Sequence, residues 1–208
     1  MPERRSRGRP RRGYADRRVE TRELRQRFLI VCEGEKTEPR YFESFHLNRR
    51  VVPVDIRGLG ADPLRLVRKA EQVRTEEEYT EEYDQVWVVF DCDDFASGDI
   101  NRAVQHARQS GIRVAYSNQA FELWYLLHFN YHNTAVPRRD YVEKLGALLG
   151  HPYAKNNAKI YRELESRQSV ALANARRLLA QYAPPNPAAD DPSTTVHELV
   201  EQLNRFLV

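Results

Sequence analysis

The chain has 208 residues, of which 41% are hydrophobic and 30% are charged, and its formal net charge is +3. This size and composition suit one domain with a real core. No apolar stretch approaches the length of a membrane-spanning helix, and the basic N-terminus lacks the apolar segment of a signal peptide. We therefore expect a cytoplasmic protein in which Cys32 and Cys92 are reduced thiols.

The positive charge is concentrated at the N-terminus. Residues 1–27 hold eleven arginines and four acidic residues, which gives this segment +7 and leaves −4 for the remainder. Residues 1–24 have few apolar positions and are interpreted as a basic disordered arm. Such an arm binds nucleic-acid phosphates with release of counterions, or it is a solubilising or partner-binding tail. The first alternative assigns phosphate contacts to Arg4, Arg5, Arg7, Arg9, Arg11 and Arg12.

After the arm, the chain alternates strands and helices. Continuous apolar runs predict buried strands, and apolar residues at helical spacing predict the helices between them. The predicted strands are 28–32, 51–56, 86–90 and 112–116, and the predicted helices are 38–48, 62–77 and 99–109. This order predicts an α/β core over residues 25–130, with a mostly parallel central sheet of about four strands flanked by helices.

The C-terminal part of the chain has a helical pattern. We predict helices over 121–129, 139–149 and 155–182, a proline-rich loop at 184–187, and a last amphipathic helix that begins at Ser193 or Thr194. Residues 131–208 are therefore expected to form a helical extension packed on the core.

Two of the predicted strands end in carboxylates. Glu33 follows the first strand, and Asp91 and Asp93 follow the third. In an open α/β sheet the carboxyl ends of the parallel strands share one edge, where ligands gather. If these strands are neighbours, the carboxylates converge and repel one another unless a cation binds among them or one of them takes up a proton. Hard oxygen ligands of this kind suit Mg²⁺ or Mn²⁺.

Some of these acidic residues also have an ordinary structural alternative. Glu33 is interpreted as a metal ligand or a general base, rather than as a carboxylate that only interacts with the dipole of the next helix. Asp91 and Asp93 lie two positions apart, so in a strand they face the same side and reach one cation. Glu35 and Glu38 are weaker candidates, because both fit the first turn of the following helix.

Four short motifs follow one another along the chain. They are IVCEGEKTEP at 30–39 with Tyr41 and Phe42, SN at 117–118, FELWYLLHF at 121–129, and PSTTV at 192–196. Together with the acidic pair at 91 and 93, they resemble the RloB-like proteins, a compact Toprim-like family found in restriction and phage-defence loci. The resemblance implies the Toprim fold and a metal-dependent nuclease. Gly98 lies further beyond the aspartates than the glycine of many Toprim sequences, which leaves the shape of that loop open.

Glu122 stands in the first turn of an almost wholly apolar predicted helix. A buried carboxylate needs a partner, so the alternatives are a metal or catalytic role, a salt bridge to an arginine, or capping of its own helix. The resemblance favours the metal or catalytic role. Ser117 and Asn118 are more simply interpreted as structural residues than as phosphate ligands.

Lysines and histidines complete the set of candidates. Lys155 is interpreted as a phosphate-binding residue, because RloB-like proteins are similar to the chain around this position and an ammonium group neutralises phosphate. Lys36 and Lys159 are weaker candidates for the same role. His128 and His132 have the i, i+4 spacing of a zinc pair, but no third soft ligand lies at a useful spacing. A histidine hydrogen-bonded within the core or at its edge is therefore favoured.

The leading functional hypothesis is a phosphodiester-processing enzyme, a Mg²⁺- or Mn²⁺-dependent nuclease of the RloB type that acts on DNA or RNA in anti-phage defence. Its catalytic residues would be Glu33, Asp91, Asp93 and Glu122, of which the first three would bind the metal. The alternative is a Toprim-like nucleic-acid-binding or sensor subunit that acts with a partner ATPase. A primase-like transferase is disfavoured, because the sequence has no zinc-binding or separate template-binding module. No membrane partner is expected.

Overall fold

The computed structural model describes residues 26–48, 52–77, 82–92 and 95–208. The predicted basic arm, 1–24, with its six phosphate-binding arginines, lies outside the described residues, and so does Asp93. None of the described helices is long and apolar enough to span a membrane.

A five-stranded sheet with the strand order β2-β1-β3-β4-β5 forms the centre of the fold. Its strands are β1 (Phe28–Cys32), β2 (Val54–Gly58), β3 (Gln85–Asp91), β4 (Arg113–Asn118) and β5 (Ser193–Thr194). The first four run parallel, whereas β5 is antiparallel to β4. The predicted α/β class with a mostly parallel sheet is confirmed. The neighbourhood of β1 and β3, on which the convergence of the carboxylates depends, is confirmed as well.

The short strand β5 replaces the predicted start of the last helix. The hydroxyl of Thr194 donates to the carbonyl oxygen of Tyr116 at 2.9 Å, and the hydroxyl of Thr195 donates to that of Val114 at 3.1 Å. Hydroxyl side chains that bond to backbone groups compete with helix formation. The helix accordingly begins only at Val196.

Helices cover both faces of the sheet. They are α1 (Thr37–Glu43), α2 (Pro63–Glu77), α3 (Ser97–Gln109), α4 (Glu122–Leu127), α5 (Arg138–Leu149), α6 (Ile160–Leu164), α7 (Gln168–Leu179) and α8 (Val196–Asn204). The predicted helix over 155–182 is wrong as one element, because it is divided into α6, a 3-10 turn and α7. The start of α6 has a local cause: Asn157 Oδ1 accepts the N–H of Lys159 at 2.9 Å, and such side-chain bonds interrupt helices.

The sheet separates two hydrophobic cores. One lies under α2 and α3 and includes Leu66, and the other lies under α1, α4 and the C-terminal helices and includes Leu178. Because both faces are covered, β1 is buried along its whole length, which explains its continuous apolar sequence. Cys32 belongs to one core and Cys92 to the other, so the two thiols are not joined in a disulfide.

Candidate active site

A small cavity opens at the edge of the sheet where β1 and β3 end. Its volume is about 100 Å³. The parallel register places Cys32 beside Val89, so the residues that follow the two strands emerge side by side. Four carboxylates and two cationic side chains line this acidic cavity: Glu33, Glu38, Asp91 and Glu122, with Arg138 and Lys155.

Glu33 continues the pairing of β1 and β3 beyond the end of β1. Its backbone N–H donates to the carbonyl oxygen of Val89 at 2.8 Å, and its own carbonyl oxygen accepts the N–H of Gly60 at 2.8 Å. The side-chain Oε2 accepts the backbone N–H of Asp91 at 3.0 Å. Hydrogen bonds to two neighbouring segments therefore fix the positions of both the backbone and the carboxylate of Glu33.

Asp91, the last residue of β3, has only 6% of its surface exposed. Its Oδ2 accepts a hydrogen bond from Nη2 of Arg138 at 3.3 Å, whereas its buried Oδ1 has no hydrogen-bond partner among the described residues. Burial raises the pKa of Asp91 well above its usual value, the surrounding carboxylates raise it further, and the guanidinium of Arg138 opposes them. An unsatisfied buried oxygen is costly, so a cation or a proton at this atom would stabilise the protein.

Glu38 of α1 is buried and belongs to the same cavity. Its carboxylate lies directly over Gly34, where a Cβ atom would be 2.7 Å from the Cδ of Glu38. Glycine at position 34 is therefore what makes room for this carboxylate. Burial raises the pKa of Glu38, and the charge of Glu122 raises it further.

Glu122 is the first residue of α4 and is 3% exposed. Its Oε1 accepts the hydroxyl hydrogen of Tyr153 at 3.2 Å and lies 3.9 Å from the Nζ of Lys155. Burial and the charge of Glu122 both raise the pKa of Tyr153, so the phenol stays protonated and remains a donor. The buried carboxylate thus has its partners in the loop between α5 and α6.

The loop between α5 and α6 is hydrogen-bonded to α1 on the other side of the cavity. Thr37 Oγ1 donates to the carbonyl oxygen of Lys155 at 3.0 Å, and Arg40 Nη1 donates to that of Asn156 at 2.7 Å. The side chain of Lys155 is 50% exposed. These bonds hold its ammonium group at the rim of the acidic cavity.

An aromatic cluster behind the cavity fixes α1 against α4. The hydroxyl of Tyr41 on α1 accepts the indole N–H of Trp124 on α4 at 2.8 Å. Ring pairs contribute about 0.5–1.5 kcal/mol each beyond their buried area. Because Glu38 and Glu122 stand on these two helices, the cluster also fixes their carboxylates relative to each other. The rings in contact with Tyr41 are Phe42, Phe45, Phe121, Tyr125 and Tyr161.

The chemistry of this donor set suits a hard cation. Carboxylate oxygens are the ligands that Mg²⁺ prefers. Burial and, after it, the neighbouring carboxylates raise the pKa of Asp91, and its buried Oδ1 has no hydrogen-bond partner among the described residues. The described side chains do not complete a site, however: over 26–48, 52–77, 82–92 and 95–208, no three His, Cys, Asp or Glu residues are grouped so that they could hold a metal ion. Asp93, the third predicted ligand, lies outside the described residues.

The described residues that the sequence favoured as catalytic, metal-binding or phosphate-binding groups lie in this one cavity. Glu33, Asp91, Glu122 and Lys155 all line it. Arg138 also lines the cavity, but it is 47 positions from Asp91 and stands at the start of an otherwise ordinary helix. No sequence signal marks it. Glu38, a weaker candidate from the sequence, belongs to the first of the four motifs and lines the cavity as well.

Other residues considered from the sequence have structural roles. Ser117 shares a hydrogen bond of 3.0 Å with Thr194 of β5, and the Nδ2 of Asn118 donates to backbone carbonyls in the loop before β5. His128 Nδ1 donates to the carbonyl oxygen of Trp124 at 2.9 Å. His128 is therefore a buried core histidine, as expected.

Comparison with known proteins identifies a family. A family model described as RloB-like protein matches residues 28–203. The matched region includes all the described residues that line the acidic cavity. No curated protein and no solved structure matches the chain.

Proposed function

The chain belongs to the RloB-like family, and from this premise we propose that it is a metal-dependent nuclease that acts in anti-phage defence. The proposed enzyme breaks phosphodiester bonds at the acidic cavity, in a Toprim-like arrangement of carboxylates at the ends of parallel strands. One observation carries the proposal: Asp91 Oδ1 is buried without a partner among the described residues, and it belongs to a cavity that four carboxylates line. The defence role rests on the resemblance of the four motifs to proteins of phage-defence loci.

Glu33, Asp91 and Asp93 are the proposed cation ligands. Glu33 and Asp91 end neighbouring parallel strands, and Asp93 follows Asp91 by two positions in the sequence. A bound Mg²⁺ or Mn²⁺ would supply charge neutralisation and polarisation of a phosphoryl oxygen. The excess of carboxylates over cationic groups in the cavity supports this choice, since buried like charges repel.

Arg138 and Lys155 are the proposed phosphate-binding groups of the cavity. The guanidinium of Arg138 bonds to Asp91 and presents several donors in a plane that matches phosphate oxygens. Lys155 stands half exposed at the rim. Both cations are therefore placed to neutralise a phosphodiester that enters the cavity.

Glu122 is the proposed proton acceptor. Its carboxylate lines the cavity, while the hydroxyl of Tyr153 donates to one of its oxygens and holds the group in place. A positioned carboxylate takes a proton from a water or hydroxyl within hydrogen-bond reach. The fixed orientation of Glu122 supports this role.

The lack of a three-ligand metal group among the described residues favours a second candidate function. In this alternative the chain is a nucleic-acid-binding or sensor subunit, and a partner ATPase triggers or completes the chemistry. The two candidates differ in whether the chain on its own cleaves nucleic acid.

Metal binding and cleavage by the purified protein test the proposal. Wild type, Glu33→Gln and Asp91→Asn are compared in thermal melts with and without Mg²⁺ or Mn²⁺, and in cleavage assays with labelled DNA and RNA. We expect metal to raise the Tm of the wild type more than that of either variant. Without metal, both variants should be at least as stable as the wild type, because each removes one of the repelling charges.

A matched control removes an acidic charge elsewhere. Glu76→Gln makes the same isosteric change on the exposed part of α2, and it should respond to metal like the wild type. Equal metal stabilisation in all four proteins would remove Glu33 and Asp91 from the site. Metal binding without any cleavage would support the subunit alternative instead.

A further inference from the structure

A second and larger basin adjoins the acidic cavity. Its volume is about 360 Å³. It shares Gly34, Thr37 and Lys155 with the acidic cavity, so the two spaces lie side by side. The residues that line the basin are Gly34, Glu35, Lys36, Thr37, Lys155 and Asn156.

The acidic cavity and the basin differ in volume, so they can hold ligands of different size. The acidic cavity of about 100 Å³ has about a third of the volume of the smallest typical ligand clefts, roughly 300 Å³, so it suits an ion with a few waters rather than a whole nucleotide. The basin falls within the range of roughly 300–1,000 Å³ that is typical of ligand clefts. A substrate that presents a phosphate to the carboxylates must place its next nucleotide outside the acidic cavity, and the basin is the adjoining space.

The charges of the two spaces also differ. The basin is lined by two lysines and one carboxylate, Glu35, which gives a formal charge of +1. The acidic cavity has four carboxylates against two cationic groups, which gives a formal charge of −2. A polyanion is attracted by the first and repelled by the second. The basin is therefore the favoured place for nucleic acid to bind beside the carboxylates.

The walls of the basin are formed before any ligand binds. A Cβ atom on Gly58 of β2 would lie 2.6 Å from the carbonyl oxygen of Gly34 and 2.7 Å from the Cα of Glu35, so this backbone rests directly on the sheet. On the other side, bonds from Thr37 and Arg40 hold the loop of Lys155. Preformed walls reduce the entropy that binding costs.

We propose that the basin binds the nucleotide next to the scissile phosphate. Lys36 and Lys155 neutralise the phosphate of that nucleotide, and Glu35 opposes its binding. This inference rests on the proposed nuclease function and adds a substrate-binding surface to it. It makes Lys36 a binding residue with no part in holding the metal.

Binding of a short fluorescein-labelled single-stranded oligonucleotide, prepared as DNA and as RNA, tests the inference. The full-length chain is used with Asp91→Asn, which should prevent turnover. In this background Lys36→Gln should weaken binding about two- to fivefold, as expected for loss of an exposed ion pair. It should also reduce the magnitude of the slope of log affinity against log salt by about 0.7, which corresponds to one phosphate contact on a single strand.

Two further variants sharpen the test. Glu35→Gln should strengthen binding, because it removes the carboxylate from the basin, and a damaged fold would not produce that sign. Lys69→Gln removes a positive charge from the exposed side of α2, where Lys69 bonds to Gln72, and it should leave affinity and slope unchanged.

The possible outcomes separate the basin from the nuclease proposal. If the Asp91→Asn protein binds the oligonucleotide while Lys36→Gln and Glu35→Gln behave like Lys69→Gln, the basin is not the nucleotide site and the nuclease proposal stands. If the Asp91→Asn protein binds neither DNA nor RNA, the basin inference and the nuclease proposal both fail.

Discussion

Protonation of His128 should destabilise the fold in mild acid. His128 follows α4, the helix that begins with Glu122, and its side chain is 1% exposed. Its Nδ1 donates to Trp124, and its buried Nε2 has no hydrogen-bond partner among the described residues. Burial lowers the pKa of His128 from 6.5 to about 4, although its backbone hydrogen bonds act in the opposite direction.

The sign and the size of the effect follow from these two pKa values. Between pH 6.5 and about 4, the unfolded chain binds a proton at this histidine and the folded chain does not, so stability falls as the pH decreases. Each unit of pKa difference corresponds to about 1.36 kcal/mol. The free energy of unfolding should therefore drop by about 1.3 kcal/mol from about pH 7.5 to about pH 5.5, and by roughly 3 kcal/mol near pH 4.

Urea unfolding of wild type and His128→Asn at these pH values measures the effect. Asparagine keeps a donor for the carbonyl oxygen of Trp124 but does not titrate, so the difference in pH dependence between the two proteins isolates His128 from the carboxylates. His151→Asn is the control. His151 is exposed, and its bonds to the Pro152 carbonyl and to Glu163 raise its pKa. Its protonation therefore favours the folded state, opposite in sign to that of His128. Replacing His151 should not reduce the loss of stability in mild acid. Equal losses of stability in wild type and His128→Asn would refute the reasoning.

Three further predictions concern the site, the arm and the turn after β1. Glu122→Gln should lower cleavage more than stability, and a loss of about 3–5 kcal/mol in unfolding free energy with cleavage intact would identify a structural ion pair instead. The slope of log affinity against log salt for the full-length protein should be roughly −3.5 to −4.5 if about five arm arginines contact phosphates, and deletion of residues 1–24 should flatten it. Identical slopes for the full-length and the truncated protein would make the arm a partner-docking tail. Gly58→Ala should cost about 1–3 kcal/mol in urea unfolding, because its Cβ would meet backbone atoms. Gly146→Ala, where a Cβ would make ordinary contacts, should instead stabilise α5 by about 0.5–1 kcal/mol.

The parallel strands could be predicted because their signal is local. β1 and β3 are continuous apolar runs that stop abruptly at carboxylates, and burial on both faces of a sheet requires such a sequence. β5 could not be predicted in this way. It is two residues long, carries no apolar run, and exists because hydroxyl groups bond to β4 from more than seventy positions away. The late start of α6 likewise depends on a side-chain bond, from the N–H of Lys159 to Asn157, that the apolar spacing does not reveal.

The same distinction holds for the candidate site: residues at strand ends could be predicted, and residues that meet through tertiary packing could not. Glu33 and Asp91 follow from strand ends, because strand order alone brings them together. Arg138 and Tyr153 could not be found, because their contacts with Asp91 and Glu122 join segments 47 and 31 positions apart through tertiary packing. The burial of Glu38 has the same origin.

The position of the aromatic cluster around Tyr41 explains why the carboxylates stay close despite their repulsion. The rings around Tyr41 join α1 to α4 directly behind the acidic cavity, so Glu38 and Glu122 cannot separate without breaking that packing. Glu33 cannot withdraw either, because its backbone bonds belong to the edge of the sheet. With movement opposed on these sides, the repulsion is relieved by protonation, which the raised pKa of Asp91 reflects, or by a bound cation. A buried cluster that the fold holds together against its own charge is the kind of arrangement found at functional sites, and this is why the proposed chemistry is assigned to this edge rather than to the basic arm.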